Sequence, residues 1–499
     1  MSIKNRSCGI LLHITSLPSS YGVGTLGKAA YDFLDWMHKA SLKIWQVLPL
    51  VPTGYGDSPY QSVSSTAYNY YLIDLDILRE KKLLKLNEYK DILFSYDKRH
   101  VDYELLFKNK IPVLKKAFQR FNKDDFKFKE FCKKQNVIDF ALFMTIKELH
   151  NYEAFDKWDS KYYNYSKALE REVIKNYNDE YLFWAWTQFE FLEEWDNLHN
   201  YAKGLGISIM GDMPLYVSYD SVEVWKYSEL FILNPDKTRK LVAGCPPDAF
   251  SDDGQLWGNP VYDYDYMKKD NYKWWAKRIK EAFTLYDILR IDHFRGFDRF
   301  YAIDANKTTA KEGEWLMGPQ SELFKGKLKL NIVAEDLGII DDGVRKLLSD
   351  TKYPGMKVLE FAFDGNPYND HLPSNFGKNV VVYTGTHDNM PFKQYLEGLD
   401  KDAKDRLISS LKNECNNLNI KMNKKSNEAI CSYVVELAFA SIATTAIIPM
   451  QDFLAEGMGT RMNFPSTVSK DNWSYRISNA SLSDKLALRI KELAIKYKR

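Results

Sequence analysis

Eight short apolar runs, at residues 9–14, 44–50, 207–213, 288–294, 332–337, 356–363, 380–386 and 446–453, are spread along the 499-residue chain, and each ends in polar or special residues. Their length suits strands buried on both faces, as in a parallel sheet covered by helices. Helical periodicity lies between several of them. Leu26, Ala30, Phe33, Leu34 and Met37 mark one face of a helix, and Phe191, Trp195, Leu198 and Ala202 mark another that Gly204 is expected to end. Alternation carried through eight strands predicts an α/β fold, a closed (β/α)8 TIM barrel rather than an open doubly wound sheet.

Three stretches, about 53–175, 234–270 and 305–327, are surplus to such a barrel. Each follows a strand, so each is expected over the C-terminal rim, as mostly helical insertions that build a cleft on a single catalytic barrel spanning 1–499. Other broad classes recede. A net charge of +2 gives no footprint for nucleic acid or an anionic membrane. Five scattered cysteines without a metal or redox spacing read as reduced thiols, and no apolar leader follows the first residues, so a cytoplasmic protein is expected. The most apolar stretch, 434–450, is broken by Glu436, Thr444, Thr445 and Pro449 and reads as a buried helix followed by a buried strand.

Carboxylates cluster at the ends of four predicted strands: Asp212, Asp292, Glu335 with Asp336, and Asp388. Side chains alternate along a strand, so Asp292 shares a face with Arg290 and Ile288, Glu335 with Val333, and Asp388 with Thr386. Placed on barrel strands four, five and seven, Asp292, Glu335 and Asp388 converge on the C-terminal mouth. Retaining glycoside chemistry needs such a set: an ionised carboxylate as nucleophile and a protonated one as acid and then base. Arg290 beside Asp292 favours its ionised form. The apolar run before Glu335 would raise its pKa towards the working range of an acid. A single acid after a buried strand is often only a helix cap. Four at successive strand ends of a barrel are not explained that way.

His293 and His387 adjoin two of the acids and read as neutral hydrogen-bond donors to sugar hydroxyls, since no spacing resembles a zinc site. His13 and His371 read as ordinary structural residues. Two loops alternate aromatic, short polar and turn-forming residues: 54–62, which contains Tyr60, and 250–260, which contains Phe250 and Trp257.

At these residues the sequence resembles the 4-α-glucanotransferases, the amylomaltases or disproportionating enzymes of glycoside hydrolase family 77 in the α-amylase clan. The resemblance runs almost end to end, from Leu11-Leu12-His13-Ile14-Thr15-Ser16-Leu17-Pro18 through Gly54-Tyr55-Gly56-Asp57-Ser58-Pro59-Tyr60-Gln61-Ser62, Trp257-Gly258-Asn259-Pro260, Arg290-Ile291-Asp292-His293-Phe294-Arg295-Gly296 and Thr386-His387-Asp388-Asn389 to Arg461-Met462-Asn463-Phe464-Pro465. It implies Asp292 as nucleophile, Glu335 as acid/base and Asp388 as transition-state stabiliser. It also implies substrate contacts from Tyr60, Asp212, Trp257, Arg290, His387 and Asn463, with the loop around Phe250 over the acceptor side. Ile14 departs from the proline usual in relatives.

The implied reaction moves α-1,4-glucan segments between malto-oligosaccharides, starch- or glycogen-derived glucans and glucose by double displacement, and requires no cofactor or metal. An amylase-like hydrolase would use the same acids. The short stretch after Leu454, read mainly as one helix over 481–498, is expected to leave no room for the C-terminal β-sandwich such hydrolases carry. A catalytically silent glucan-binding protein would not need all three carboxylates.

Overall fold

The structure is a computed structural model and describes residues 3, 5–247, 252–326, 329–338 and 340–499. Each apolar run contains one strand: β1 Ser7–Leu11, β2 Ile44–Gln46, β3 Ser208–Met213, β4 Ile288–Ile291, β5 Ile332–Ala334, β6 Gly355–Val358, β7 Val380–Tyr383 and β8 Thr445–Pro449. All neighbours pair in parallel, in the order β6-β7-β8-β1-β2-β3-β4-β5. That is the cyclic order of a (β/α)8 barrel. Residues on both strand faces are inaccessible, Ile209 and Met210 in β3 for example, which is why no strand alternates in polarity.

The ring closes without a ladder between β5 and β6. At this seam the Ala334 amide donates to the Pro354 carbonyl at 2.9 Å. The Met356 amide donates to the Asp336 carboxylate and the Val358 amide to His371 Nδ1. Two side chains thus take the place of backbone acceptors. Burial holds the His371 imidazole at a pKa of about 4, so at neutral pH Nδ1 is free to accept.

Helices cover the ring. The first periodic run folds as α1, Lys28–Lys39, which buries Ala30, Phe33, Leu34, Trp36 and Met37. The second belongs to α2, Asn178–Gly204, a helix of 27 residues. It ends at Gly204, as the sequence suggested, and the chain turns away just beyond. Gly206 takes the left-handed φ of 72°, and the Ile207 amide reaches back to the Ala202 carbonyl at 2.9 Å. A left-handed residue past the last turn satisfies the open carbonyls, and glycine adopts it without strain. Stretch 434–450 holds the end of α3, Asn427–Ala440, and then β8. The chain closes with α4, Asp484–Lys496, capped by the Ser483 hydroxyl. No helix among the described residues is long and apolar enough to cross a membrane.

Residues 53–175 are helical, with Tyr103–Arg120 and Gln135–Leu149 as the longest pieces, the latter packed on α2. Residues 234–270 and 305–327 supply three strands of a second, antiparallel sheet that the sequence did not suggest. Its order is Gln255–Pro260, Leu241–Cys245, Arg299–Asp304, Glu314–Met317. A small separate core of Val242, Tyr301, Ile303 and Ala310 lies against it.

Candidate active site

The tips of β3, β4 and β5 are stitched together past the end of regular pairing. The Asp292 amide donates to the Met213 carbonyl, the Glu335 amide to the Ile291 carbonyl and the Phe294 amide to the Glu335 carbonyl, each at 3.0 Å. His293 sits between them with a left-handed φ of 49°. A non-glycine residue held there is costly and signals a position fixed by its surroundings. The turn aims the His293 amide at Glu335 Oε2, 2.7 Å away, while the Leu337 amide donates to Glu335 Oε1, also at 2.7 Å. Glu335 is therefore held on both oxygens, beside Asp292.

Arg290 lies buried beneath these two acids. Its Nη1 donates to both oxygens of Asp212 at 2.7 Å, and its Nη2 pairs with Asp292 Oδ1 at 2.9 Å. Tyr60 Oη donates to Asp212 Oδ2 at 2.7 Å. Asp212 is fully covered, whereas 28% of the Asp292 side chain remains exposed. Asp212 thus neutralises the buried guanidinium, and Asp292 keeps a face open to the cleft.

The two cleft acids differ in their surroundings. Burial pushes Glu335 up to about 8, the neighbouring Asp292 charge pushes the same way, and Arg290 opposes both. Burial also raises Asp292, but the guanidinium in direct contact opposes it. When two adjacent carboxyls share a site, the proton resides on the one with less cationic support. At neutral pH that is Glu335, leaving Asp292 ionised. His293 is held neutral, at about 3, by burial.

Asp388 arrives from the turn after β7 and is more open, with 44% of its side chain exposed. Asn463 Nδ2 donates to its Oδ1 at 2.6 Å, Arg461 donates to its carbonyl, and His387 Nε2 lies 3.4 Å from its Oδ2. The His387 ring stacks on Tyr60 with centroids 5.1 Å apart. Across the cleft, Trp257 meets His293 edge-on at 4.9 Å. Tyr60 owes its place to loop 54–62, where a Cβ at Gly54 would come within 1.7 Å of the Gln61 carbonyl oxygen. Only glycine lets the loop close on itself there.

The fold thus gathers Tyr60, Asp212, Arg290, Asp292, Glu335, His387, Asp388 and Asn463 at one mouth, with Trp257 and His293 beside it. Asp212 and Arg290 lie under the acids rather than on the open surface. Phe250 lies outside the described residues. Sequence reasoning passed over Trp473, whose ring lies 5.4 Å from Tyr60 and 5.9 Å from His387. His13 has the structural role expected of it: its Nδ1 accepts the Leu48 amide, and burial keeps it neutral at about 3. Trp473 follows no strand and carries no local signal.

Known proteins resemble this chain along nearly its whole length. The family model described as 4-alpha-glucanotransferase matches residues 12–482. The 4-alpha-glucanotransferase of Clostridium butyricum is 42% identical over 98% of this chain and 100% of its own. That of Thermus thermophilus is 39% identical over 98% of both chains. The solved amylomaltase from Streptococcus agalactiae in complex with acarbose superimposes with a TM-score of 0.93 at 38% identity, covering 99% of each chain.

Proposed function

The chain belongs to the 4-α-glucanotransferases of glycoside hydrolase family 77, and from that premise we propose how its residues carry out glucan transfer. Asp292 attacks the anomeric carbon of a bound α-1,4-glucan while Glu335 gives its proton to the departing 4-oxygen. The donor segment remains on Asp292 as a β-linked ester, and the reducing-end fragment leaves. Glu335, now ionised, takes the proton from the 4-hydroxyl of an incoming glucan or glucose. That oxygen then displaces Asp292 and restores an α-1,4 bond. Two inversions give net retention.

The observation that carries this assignment is the asymmetry of the pair: Asp292 is held by Arg290 at 2.9 Å, while Glu335 receives only backbone donors. Asp388 holds sugar hydroxyls opposite and opposes the positive charge that develops at the anomeric carbon. Tyr60, His387, Trp257, His293 and Asn463 supply ring faces and hydrogen bonds to the sugars, and Asp212 and Arg290 act by setting the charge of Asp292. Phe250 belongs to a loop over the acceptor side. The acceptor must outcompete water, so an enclosed and oriented acceptor site favours transfer. The setting consistent with a near-neutral protein acting on uncharged malto-oligosaccharides is the cytoplasm, without a nucleic-acid or membrane partner.

The test is incubation with maltotriose followed by chromatography. The expected result is a ladder of longer maltodextrins plus free glucose, with little gain in reducing ends. Glucose and maltose alone, with reducing ends rising steadily, would establish hydrolysis instead.

A further inference from the structure

Glu360 follows β6 in the short turn Leu359–Phe361 and is 91% covered, with no part in the chemistry described above. Its amide donates to the Thr384 carbonyl at 3.0 Å, joining the ends of β6 and β7. Its Oε1 accepts from Asn389 Nδ2 at 2.8 Å. Asn389 Oδ1 in turn accepts from the Thr386 amide at 2.9 Å and the Thr386 hydroxyl at 2.8 Å. The Asp388 amide donates to that hydroxyl oxygen at 3.3 Å. Because Asn389 uses its oxygen twice within the turn, its NH2 must point away from the turn, and Glu360 is the acceptor that receives it. The opposite side of the turn is held by Asp452 after β8, which accepts from the Thr384 hydroxyl and from the Phe392 amide.

We propose that Glu360 is a positioning residue for glucan transfer: it fixes the orientation of the Asn389 amide, and Asn389 fixes the Thr386–Asp388 turn that presents His387 and Asp388 to the substrate. This rests on the reading of Asp388 as a substrate-facing acid. Glu360 works as an acceptor held at one geometry, and its charge is dispensable. Burial lifts its carboxyl to about 8, Asp452 pushing the same way while the Asn389 hydrogen bond and Arg461 oppose, so near neutral pH it is mostly uncharged. A glutamine supplies the same oxygen from the same position.

The experiment compares maltotriose disproportionation by wild type, Glu360→Met, Glu360→Gln, Asn389→Leu and the Glu360→Met/Asn389→Leu double variant. Glu360→Met keeps the volume and removes the acceptor; kcat is expected to fall about tenfold with KM within about twofold. Glu360→Gln is expected within about twofold of wild type. The double variant should be no slower than Asn389→Leu alone, since both substitutions break one chain of contacts. Wild-type kcat in Glu360→Met, losses that multiply in the double variant, or a Glu360→Gln as slow as Glu360→Met would each overturn the proposal. Should Glu360→Met not fold, Glu360→Ala replaces it under the same criteria. Asp388→Asn separates the two claims. If it transfers normally, the reading of Asp388 fails; if it is inactive while Glu360→Met is fully active, only the positioning role fails.

Discussion

At the scale of residues, the proposed mechanism turns on two carboxyls made unequal by one guanidinium. Asp292→Asn removes the proposed nucleophile and the charge facing Arg290. The expected loss in kcat is about 10⁴-fold or more, with maltotriose binding by calorimetry retained. Glu335 must be protonated to act as the acid, so kcat/KM should fall as pH rises through about 8. The same shift has a consequence for stability. A carboxyl raised in the folded state contributes fully below its unfolded value, and that contribution is lost as pH rises towards 8. Glu335→Gln should therefore melt above wild type at pH 8, with the difference shrinking towards pH 5. An unchanged or inverted difference in scanning calorimetry would refute the buried-acid argument. The cleft acids were legible in sequence because barrel chemistry sits at strand ends and each follows an apolar run. Glu360 was not. It too follows a strand, but Leu359 and Phe361 flank it as ordinary apolar neighbours, and its meaning lies in Asn389, which is distant in sequence and meets it only where β6 and β7 lie side by side.

At the scale of elements, strands were easier to read than the pieces between them. A strand buried on both faces needs an uninterrupted apolar run, and eight such runs gave eight staves. The antiparallel sheet was not legible because its strands are partly exposed rather than continuous buried runs, and its pairing joins 241–245 to 299–304 across β4. Gly204 marks the end of α2 as its sequence suggests, but that Gly206 carries the left-handed turn is not legible, because two glycines look alike in sequence and only backbone dihedrals distinguish them. Two predictions belong here. Asp336→Ala removes the acceptor of the Met356 amide at the seam, leaving a buried donor unsatisfied. It should cost about 1–3 kcal/mol in urea unfolding while leaving the pH profile of transfer in place. Gly54→Ala drives a methyl into the Gln61 carbonyl and disturbs the loop that carries Tyr60. KM for maltotriose should rise several-fold or kcat should drop, with a small change in melting temperature; wild-type kinetics would show that the loop is not held closed by this contact.

At the scale of the whole molecule, charge is abundant but balanced, 69 basic residues against 67 acidic ones. The net charge is only +2, the Arg290–Asp212 pair beneath the cleft is buried, and the proposed substrates are neutral. Salt screens exposed charges over about a Debye length and scarcely touches buried ones. Changing sodium chloride from about 20 mM to about 500 mM should therefore alter kcat/KM by less than about twofold. A steep decline would mean that exposed charges steer or hold the substrate.

The seam between β5 and β6 has a mechanical meaning. A hoop of eight staves with one joint made of side chains gives way first at that joint. Glu335 stands on one lip of it, stitched by backbone to Asp292; Asp388 stands beyond the other lip, braced by Glu360. Breathing of the hoop would leave Asp292 and Glu335 at constant separation and swing only Asp388. The amides of Met356 and Val358 should then exchange with solvent deuterium ahead of those of Ile209 and Met210. If they exchange no sooner, the joint is as stiff as the rest of the hoop.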